Sequence, residues 1–448
     1  MRGRIPNAVF ILLALFFLTG CGQGLSDGTK TQANAVKQDL ESTRDFIEAQ
    51  KKKYAGLSTS PDFSAMAEYA AREKWGTAFA DAGTTLARAH EVYDKGLNVT
   101  IKQDRLEGEA RALAQIKQVN SIIREAKDQA KAPSERVSRI RAAMTGPQAM
   151  ERSAMASADT ILSKVQLLEQ GPVAKAKEQF PGSEAKIKAR FAPFVKMADD
   201  TKVNTDIVKA QYQAHTEGRA DYAAFVTAAD AIEGAKEMLS RDAPKFEKDL
   251  DQLYRSYTKI LEDMKVDNLA GTQLKYFHKY LREENGETSE SGWEAVNASF
   301  YEQNLENLGM AILSKPYGEF ESDHQPSPPG MAYVGNPKYG EWKKDENGNN
   351  FWSWYGRYAF FSNLFFFPPH YYSYGSWNRW RSDYRYKKPY YGQTQSGYTF
   401  GTRGSTMNRS PRYQNSTFSK TGGLKTASAS VRGGASRLRG GGPKSKGK

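Results

Sequence analysis

The chain has 448 residues, of which 64 are Lys or Arg and 51 are Asp or Glu, so its formal net charge is +13. Its single cysteine, Cys21, excludes an intrachain disulfide and a metal site made of several thiolates. The length allows two or more domains, each with its own hydrophobic core.

The positive charge is concentrated at the C-terminal end. Residues 316–448 contain 20 Lys or Arg and 7 Asp or Glu, whereas residues 1–315 contain 44 of each class. No acidic residue follows Asp383. The sequence therefore predicts a neutral body with a cationic end, and such an asymmetry favours an anionic partner.

The N-terminus has the features of an export signal. Arg2 and Arg4 precede an unbroken apolar run of 11 residues, Ala8 to Leu18. That run suits the apolar region of a signal peptide, and it is shorter than the ~20 residues that span a bilayer. It ends in Leu18-Thr19-Gly20-Cys21, which resembles the lipobox of bacterial lipoproteins.

The resemblance implies that the chain is cut before Cys21, that its thiol receives a diacylglycerol, and that the new amine is acylated. Several acyl chains, at ~0.8 kcal/mol per buried methylene, make a lasting membrane anchor. Gly22 follows the cysteine. In Gram-negative lipoproteins Asp at that position favours the inner membrane, so in such a host the resemblance implies the outer membrane, facing the periplasm. A plain secretory signal and a buried helix are the alternatives.

Composition divides the rest of the chain, and the predicted fold class is mainly α. We expect an elongated antiparallel helical bundle with coiled-coil-like hairpins, followed by a small aromatic-rich segment that contains a β-hairpin. The predicted parts are a signal peptide at 1–20, a lipidated cysteine and tether at 21–30, the bundle at 31–315, a Pro-rich linker at 316–330, an aromatic-rich module at 331–400 and a disordered Gly/Ser/Arg/Lys tail at 401–448.

Apolar residues at 3-4 spacing support the helical bundle. The first stripe comprises Ala33, Val36, Leu40, Ile47 and Tyr54, with Thr43 at the missing position. Helix-breaking glycine and proline residues predict helix ends at Gly96, Pro133 and Gly171-Pro172. The clearest stripe begins at Phe246 and continues to Met264, and Leu274–Leu281 is a further predicted helix, followed by a polar loop at Glu283–Gly292.

Aromatic residues dominate the predicted module. Of 53 aromatic residues in the chain, 24 lie between Tyr333 and Phe400, too many for so short a segment to bury alone. Asn347-Gly348 between two aromatic arms predicts a hairpin turn. Residues 351–367 could pack on the helical body, lie among lipid headgroups or bind a partner. The candidate membrane or partner contacts are Trp352, Trp354, Tyr355, Phe360, Phe361, Phe365, Phe366, Trp377 and Trp380.

Cations alternate with rings after Tyr371, a pattern that suits anionic ligands because rings stack and cations pair with negative charges. The candidate anion contacts are Arg379, Arg381, Arg385, Lys387, Lys388, Arg432, Arg437 and Arg439. Export argues against intracellular nucleic acid, so the expected partner is an anionic envelope polymer or an envelope protein. A solubilising tail without a target is the alternative.

The sequence predicts no catalytic residue, no metal site and no cofactor. The five histidines are scattered, and the acidic run at Asp345–Asn349 has its glycine misplaced for a calcium loop. The favoured function is that of a membrane-anchored envelope lipoprotein with a structural or protein-interaction role. A helical ligand-binding module or an enzyme with an unrecognised site is one alternative, and extracellular nucleic-acid binding is another.

The lipobox gives a test of the anchor. Cys21→Ser retains the size of the side chain but cannot form a thioether, so we expect the variant to lose incorporation of labelled palmitate and to keep residues 1–20. Gly22→Ala is the matched control and should retain both labelling and cleavage. A wild-type protein that carries an unprocessed Met1 and no label would contradict the prediction.

Overall fold

A computed structural model describes residues 24–269, 273–366, 369–395 and 397–422. The predicted signal peptide, Cys21 and residues 423–448 lie outside the described residues. The described chain is mainly helical and ends in an antiparallel sheet region with clustered aromatic rings, so the predicted fold class is confirmed at this level. It forms two compact units. The first holds residues up to Asp159 together with Asp200–Ala235, and the second holds Thr160–Asp199 and the chain from Lys236 onwards.

Nine helices precede the first strand in the described chain. The boundaries between the units fall within α6, α8 and α9, so these helices contribute residues to both. The helices are α1 Asp27–Ser58, α2 Ala67–Arg72, α3 Ala78–Val92, α4 Asn98–Gln103, α5 Glu109–Thr145, α6 Pro147–Leu168, α7 Ala174–Gln179, α8 Glu184–Thr216 and α9 Tyr222–Asp251.

The first unit has a core between α1, α3 and α5. The predicted stripe on α1 is confirmed from Ala33 to Ile47, where its apolar residues and Thr43 are buried, whereas Tyr54 is half-buried. Small residues such as Ala82, Ala89 and Ala126, all fully buried, allow the helix backbones to approach closely. Side-chain contacts show the relative directions of the helices. Lys127 of α5 pairs with Asp39 of α1, and these two helices run parallel. α3 runs antiparallel to both.

The start of α1 is attached to the start of α5. Ser26 caps α1, and its hydroxyl donates to Glu109 Oε1 at 2.6 Å. The Leu25 amide donates to Asp104 Oδ1 at 2.8 Å, and Lys30 forms an ion pair with the same carboxylate. The predicted tether at 21–30 is therefore wrong for residues 25–30, which are held by the first unit.

Three predicted helix ends are also wrong. Pro133 lies inside α5, where Ala130 and Val137 on either side are fully buried. A proline inside a helix costs about 3 kcal/mol, and packing along this long helix outweighs that cost. Gly96 and Gly171-Pro172 lie in π-helical segments, Tyr93–Leu97 and Glu169–Val173, which carry the chain from α3 to α4 and from α6 to α7.

The second unit contains a five-stranded antiparallel sheet of order β3-β2-β1-β5, in which β4 also pairs with β2. After the sheet begins, this unit also contains two small hairpins, β6-β7 and β8-β9, and four short α-helices. The strands are β1 Tyr257–Leu269, β2 Gln273–Glu284, β3 Glu287–Glu290, β4 Glu294–Val296, β5 Ala311–Lys315, β6 Gly340–Lys344, β7 Asn350–Trp354, β8 Gln393–Thr394 and β9 Gly397–Tyr398. The later helices are α10 Ala298–Gln303, α11 Tyr374–Asp383, α12 Pro411–Gln414 and α13 Thr417–Lys420.

The predicted helices at 246–264 and 274–281 are wrong beyond Asp251. The chain forms β1 and β2, which pair antiparallel over their length with Tyr257 opposite Glu284. A bulge between Leu261 and Asp263 shifts the register, so the buried positions no longer alternate strictly. Ile260 lies opposite Leu281 and Met264 opposite His278, so these two residues are on opposite faces of the sheet. The 3-4 spacing of Tyr257, Ile260 and Met264 in the sequence therefore does not mark a single buried face.

Two tight turns shape the hairpins. The predicted hairpin around Asn347-Gly348 is confirmed by the pairing of β6 with β7. The predicted polar loop at Glu283–Gly292 is instead the end of β2, a turn at Asn285-Gly286 and β3. Both turn residues have positive φ, 52° and 89°, which is typical of a two-residue hairpin turn.

The predicted linker and the first part of the predicted tail belong to the core of the second unit. Ser327 and Asp323 bridge to β5, and residues 327–334 are buried. Met407 and Phe418 are each 2% exposed. The prediction of disorder is therefore wrong for residues 401–422, because these two apolar side chains have a sheet to pack against.

Asp263 on β1 holds the C-terminal segment. Its carboxylate accepts hydrogen bonds from the backbone amides of Thr417 at 2.7 Å and Phe418 at 3.0 Å, at the start of α13. The carboxylate thus satisfies two amides that a helix start leaves unpaired. This buried contact joins residues more than 150 positions apart in the chain.

Removing this carboxylate should loosen α13. We expect Asp263→Ala to lower the free energy of unfolding by about 1–3 kcal/mol, because two buried amides lose their acceptor. Limited proteolysis should then cut within residues 411–422 faster than in the wild type. Asp267→Ala, on the same strand but paired with Lys265, is the control. Equal cleavage rates for the two variants would contradict the assignment.

Candidate anion-contact face

The face is built on α11. Ser373 caps this helix, since its hydroxyl accepts a hydrogen bond from the Ser376 amide at 3.2 Å. Trp377 and Trp380 point into the core at 9% and 2% exposure, while Arg379 and Arg381 are exposed. The helix therefore fixes two indoles on its inner side and presents its arginines outward.

Gly335 explains why Trp377 packs so closely. Its φ is +83°, and an added Cβ would lie 2.5 Å from Cζ2 of Trp377. A side chain at this position would meet both backbone strain and a clash. The Trp377 ring also contacts the rings of Trp342 and Tyr374, so this wall of the face is firmly packed.

Arg385 is held from several sides. Its Nη2 lies 3.2 Å from Glu319 Oε1, and its guanidinium lies over the rings of Trp380 and Tyr386. Its Nε is buried and has no hydrogen-bond partner in the described chain. The arrangement fixes the orientation of the guanidinium and leaves one donor unused.

Acidic residues from earlier in the chain neutralise part of the cationic end. Arg403 pairs with Glu306 at 3.0 Å, and Arg412 pairs with Glu262 at 2.8 Å and with Glu290 at 3.2 Å. The charge asymmetry of the sequence is therefore smaller in the folded unit. Within and just after α11, four exposed cations have no carboxylate within 4.0 Å among the described residues, and we call them the cationic patch: Arg379, Arg381, Lys387 and Lys388.

Aromatic and backbone groups orient three members of the patch. Arg381 lies 5.2 Å from the centroid of the Trp377 ring, and Lys388 lies 4.6 Å from that of Tyr384. Lys387 donates to the carbonyl oxygen of Ser382 at 2.6 Å. The patch thus combines exposed positive charge with adjacent rings, which is the pairing that the sequence predicted.

A small cavity opens beside the patch. Its volume is about 150 Å³. We call it the Arg381 pocket, and the lining side chains that matter here are Glu319, Trp377, Trp380, Arg381 and Arg385.

Most of the predicted aromatic contacts are in the core instead. Their rings belong to one buried cluster that also contains Ile260, Leu261 and Met264 of β1, so the sheet and the aromatic segment form a common core. Tyr355 is 44% exposed and Phe360 is half-buried, and these two remain accessible. The prediction of membrane or partner contact is wrong for the seven aromatic residues that are buried: Trp352, Trp354, Phe361, Phe365, Phe366, Trp377 and Trp380.

The remaining predicted sites lie outside the described residues. These are the lipidation site, Cys21, and three candidate anion contacts, Arg432, Arg437 and Arg439. The structure therefore brings together five of the predicted anion contacts near α11 and does not describe the other three.

Sequence analysis missed a group of buried ionisable side chains. Glu283 is fully buried and accepts hydrogen bonds from the Tyr333 hydroxyl and the Gly286 amide, each at 2.5 Å, and burial raises the pKa of its carboxyl. Lys315 is 1% exposed and donates to the backbone carbonyls of Gln252 and Arg255. Burial, with Arg255 nearby, lowers the pKa of Lys315 to about 8.

His278 is a third such group. It lies on β2 with no exposed surface, and its Nδ1 is 2.9 Å from the Tyr280 hydroxyl. Its Nε2 has no partner in the described chain. Burial, and secondarily the charge of Lys259, lowers the pKa of His278 to about 4. The strand pattern around it would have indicated burial only once β2 was recognised.

The described ranges contain no group of three or more His, Cys, Asp or Glu side chains placed to hold a metal ion. Within the same ranges, no helix combines the length and apolarity needed to cross a bilayer. Searches against protein-family models, curated proteins and solved structures gave no match.

His278 gives a pH prediction. Its folded-state pKa of about 4 lies below the ordinary 6.5, so the unfolded chain binds more protons between these values. The free energy of unfolding should therefore fall as the pH drops from 6.5 to 4, by at most about 3 kcal/mol from this residue. Urea unfolding at several pH values in this range should show that the free energy of unfolding changes less with pH in His278→Gln than in the wild type.

His324→Gln changes an exposed histidine of the same unit and should keep the wild-type slope. Burial also lowers the pKa of His370 to about 4, so some slope should persist in His278→Gln. Identical slopes in the wild type and His278→Gln would contradict the prediction.

Proposed function

We propose that this protein is a lipid-anchored envelope protein, without enzymatic activity, whose second unit contacts an anionic envelope component through the cationic patch. The observation that carries the proposal is the set of four exposed cations without a carboxylate partner beside a wall of aromatic rings. Unpaired surface charge gains more from an anionic ligand than charge that is already paired. The seven cations in residues 423–448 would add to the same field.

The anchor part of the proposal rests on the lipobox resemblance at Leu18–Cys21. Export to the envelope excludes the cytoplasmic nucleic acids as partners. The abundant anions there are lipid headgroups, lipopolysaccharide phosphates and peptidoglycan carboxylates. In a Gram-negative host we place the protein at the outer membrane, facing the periplasm.

We propose a structural or protein-interaction role for the helical part, as an elongated bundle with coiled-coil-like packing. The buried 3-4 stripe of α1 and the small buried residues between α1, α3 and α5 support it. Its exposed faces carry ion pairs such as Arg88 to Glu125 at 2.5 Å. Exposed cations without an ion pair also lie on α1, so the feature that distinguishes the α11 region is the combination of such cations with adjacent aromatic rings.

The test uses the full-length protein in mild non-ionic detergent and two insoluble probes, peptidoglycan sacculi for carboxylates and phosphocellulose for phosphates. The patch variant combines four substitutions: Arg379→Gln, Arg381→Gln, Lys387→Gln and Lys388→Gln. We expect it to bind at least tenfold more weakly than the wild type to whichever of the two probes the wild type binds more tightly, a loss of about 1.4 kcal/mol. Binding of the wild type should also weaken as salt rises.

A matched variant removes four exposed cations from α1, namely Arg44, Lys51, Lys52 and Lys53. It has the same net charge as the patch variant, so a difference between the two isolates position from total charge. Equal binding by the two variants on both probes would overturn the assignment to the patch. A further truncation after Gly422 measures the share of the last residues.

A further inference from the structure

We infer that the Arg381 pocket binds a single carboxylate group. The inference deepens the proposed function, on which it rests for the envelope setting. The pocket lies at the edge of the cationic patch and is the point where two arginines and two indoles of that face meet. A carboxylate is a planar monoanion that accepts two parallel hydrogen bonds from guanidinium groups.

Unused hydrogen-bond donors support an anionic ligand. Arg381 has no acceptor or acidic partner in the described chain, and Arg385 Nε is buried without a partner. The Nε atom of Arg385 has almost no accessible surface, so the donors that a ligand in the pocket can reach are those of the exposed Arg381 guanidinium. Asn336 also lines the pocket, but its amide donates to the Tyr317 carbonyl and accepts from the Lys338 amide.

The charge balance of the pocket favours one negative charge. Two guanidinium groups, Arg381 and Arg385, face one carboxylate, Glu319, so the formal sum is +1. A carboxylate would neutralise it, whereas a phosphate dianion would leave an excess negative charge beside Glu319. Glu319 also pairs with Lys186 at 3.2 Å, so it is already committed within the unit.

Size and wall chemistry restrict the rest of the ligand. The volume of about 150 Å³ equals about five water molecules, which suits a carboxylate and the carbon atoms next to it. The indoles of Trp377 and Trp380 offer apolar walls for those carbons. The C-terminal carboxylate of a short peptide and the carboxylate of a sugar acid share this chemistry, and the experiment separates the two sources.

The experiment measures binding to the full-length protein in detergent by titration calorimetry and by saturation-transfer NMR. The probes are N-acetylalanine, its amide, galacturonate and methyl phosphate. We expect N-acetylalanine or galacturonate to bind, and N-acetylalanine amide and methyl phosphate to bind at least tenfold more weakly. The stronger of the two carboxylates identifies the source as peptide or sugar acid.

Arg381→Gln and Arg409→Gln form a matched pair. Both remove one exposed arginine that has no ion pair in the described chain, but Arg381 lines the pocket, whereas Arg409 lies outside both the pocket and the cationic patch. We expect Arg381→Gln to weaken carboxylate binding at least tenfold and Arg409→Gln to leave it within twofold. Circular dichroism should show that both variants retain the wild-type fold.

Two outcomes would overturn the inference: no carboxylate binding by the wild type, or an equal loss in both arginine variants. Tighter binding of methyl phosphate than of either carboxylate would also overturn it. These results are separate from those of the polymer assay. Loss of carboxylate selectivity with retained patch-dependent binding to sacculi or phosphocellulose rejects the pocket alone, whereas failure of the polymer assay rejects the proposed function.

Discussion

The burial of aromatic rings on the β1–β2 hairpin determines the second unit. Rings such as Trp352, Phe361 and Tyr333 are buried in one cluster with Ile260, Leu261 and Met264 of the sheet. Each large buried side chain contributes about 1.5–3 kcal/mol, so many of them together hold the chain from 316 to 422 on the sheet. The position of α11, and with it the cationic patch, follows from that packing.

Secondary structure could be predicted from the sequence where the apolar spacing was long and uninterrupted or where the turn residues were distinctive. The stripe on α1 and the turn at Asn347-Gly348 were both predicted, because local spacing and turn chemistry decide them. It was misleading at β1, where buried apolar residues on both faces of the strand have a 3-4 spacing in the sequence. Pro133 was misleading because a proline usually ends a helix, whereas here tertiary packing keeps α5 helical through it.

The candidate site shows the same division. The cations after Tyr371 could be identified from composition, but which of them stay unpaired could not. That depends on Glu262, Glu306 and Glu319, which lie far away in the sequence and are brought close by the sheet. The buried Glu283 and His278 were also beyond reach, because recognising them requires knowing that β2 is covered on both faces.

The hydrogen bond between Leu25 and Asp104 has a consequence for the proposed anchor. Leu25 is the fourth residue after Cys21, and an extended chain covers at most about 3.6 Å per residue. With Cys21 lipidated, the first turn of α5 would be held within roughly 15 Å of the bilayer surface. The neighbourhood of Asp104 and Glu109 would then face lipid headgroups throughout the life of the protein, whatever the rest of the chain binds.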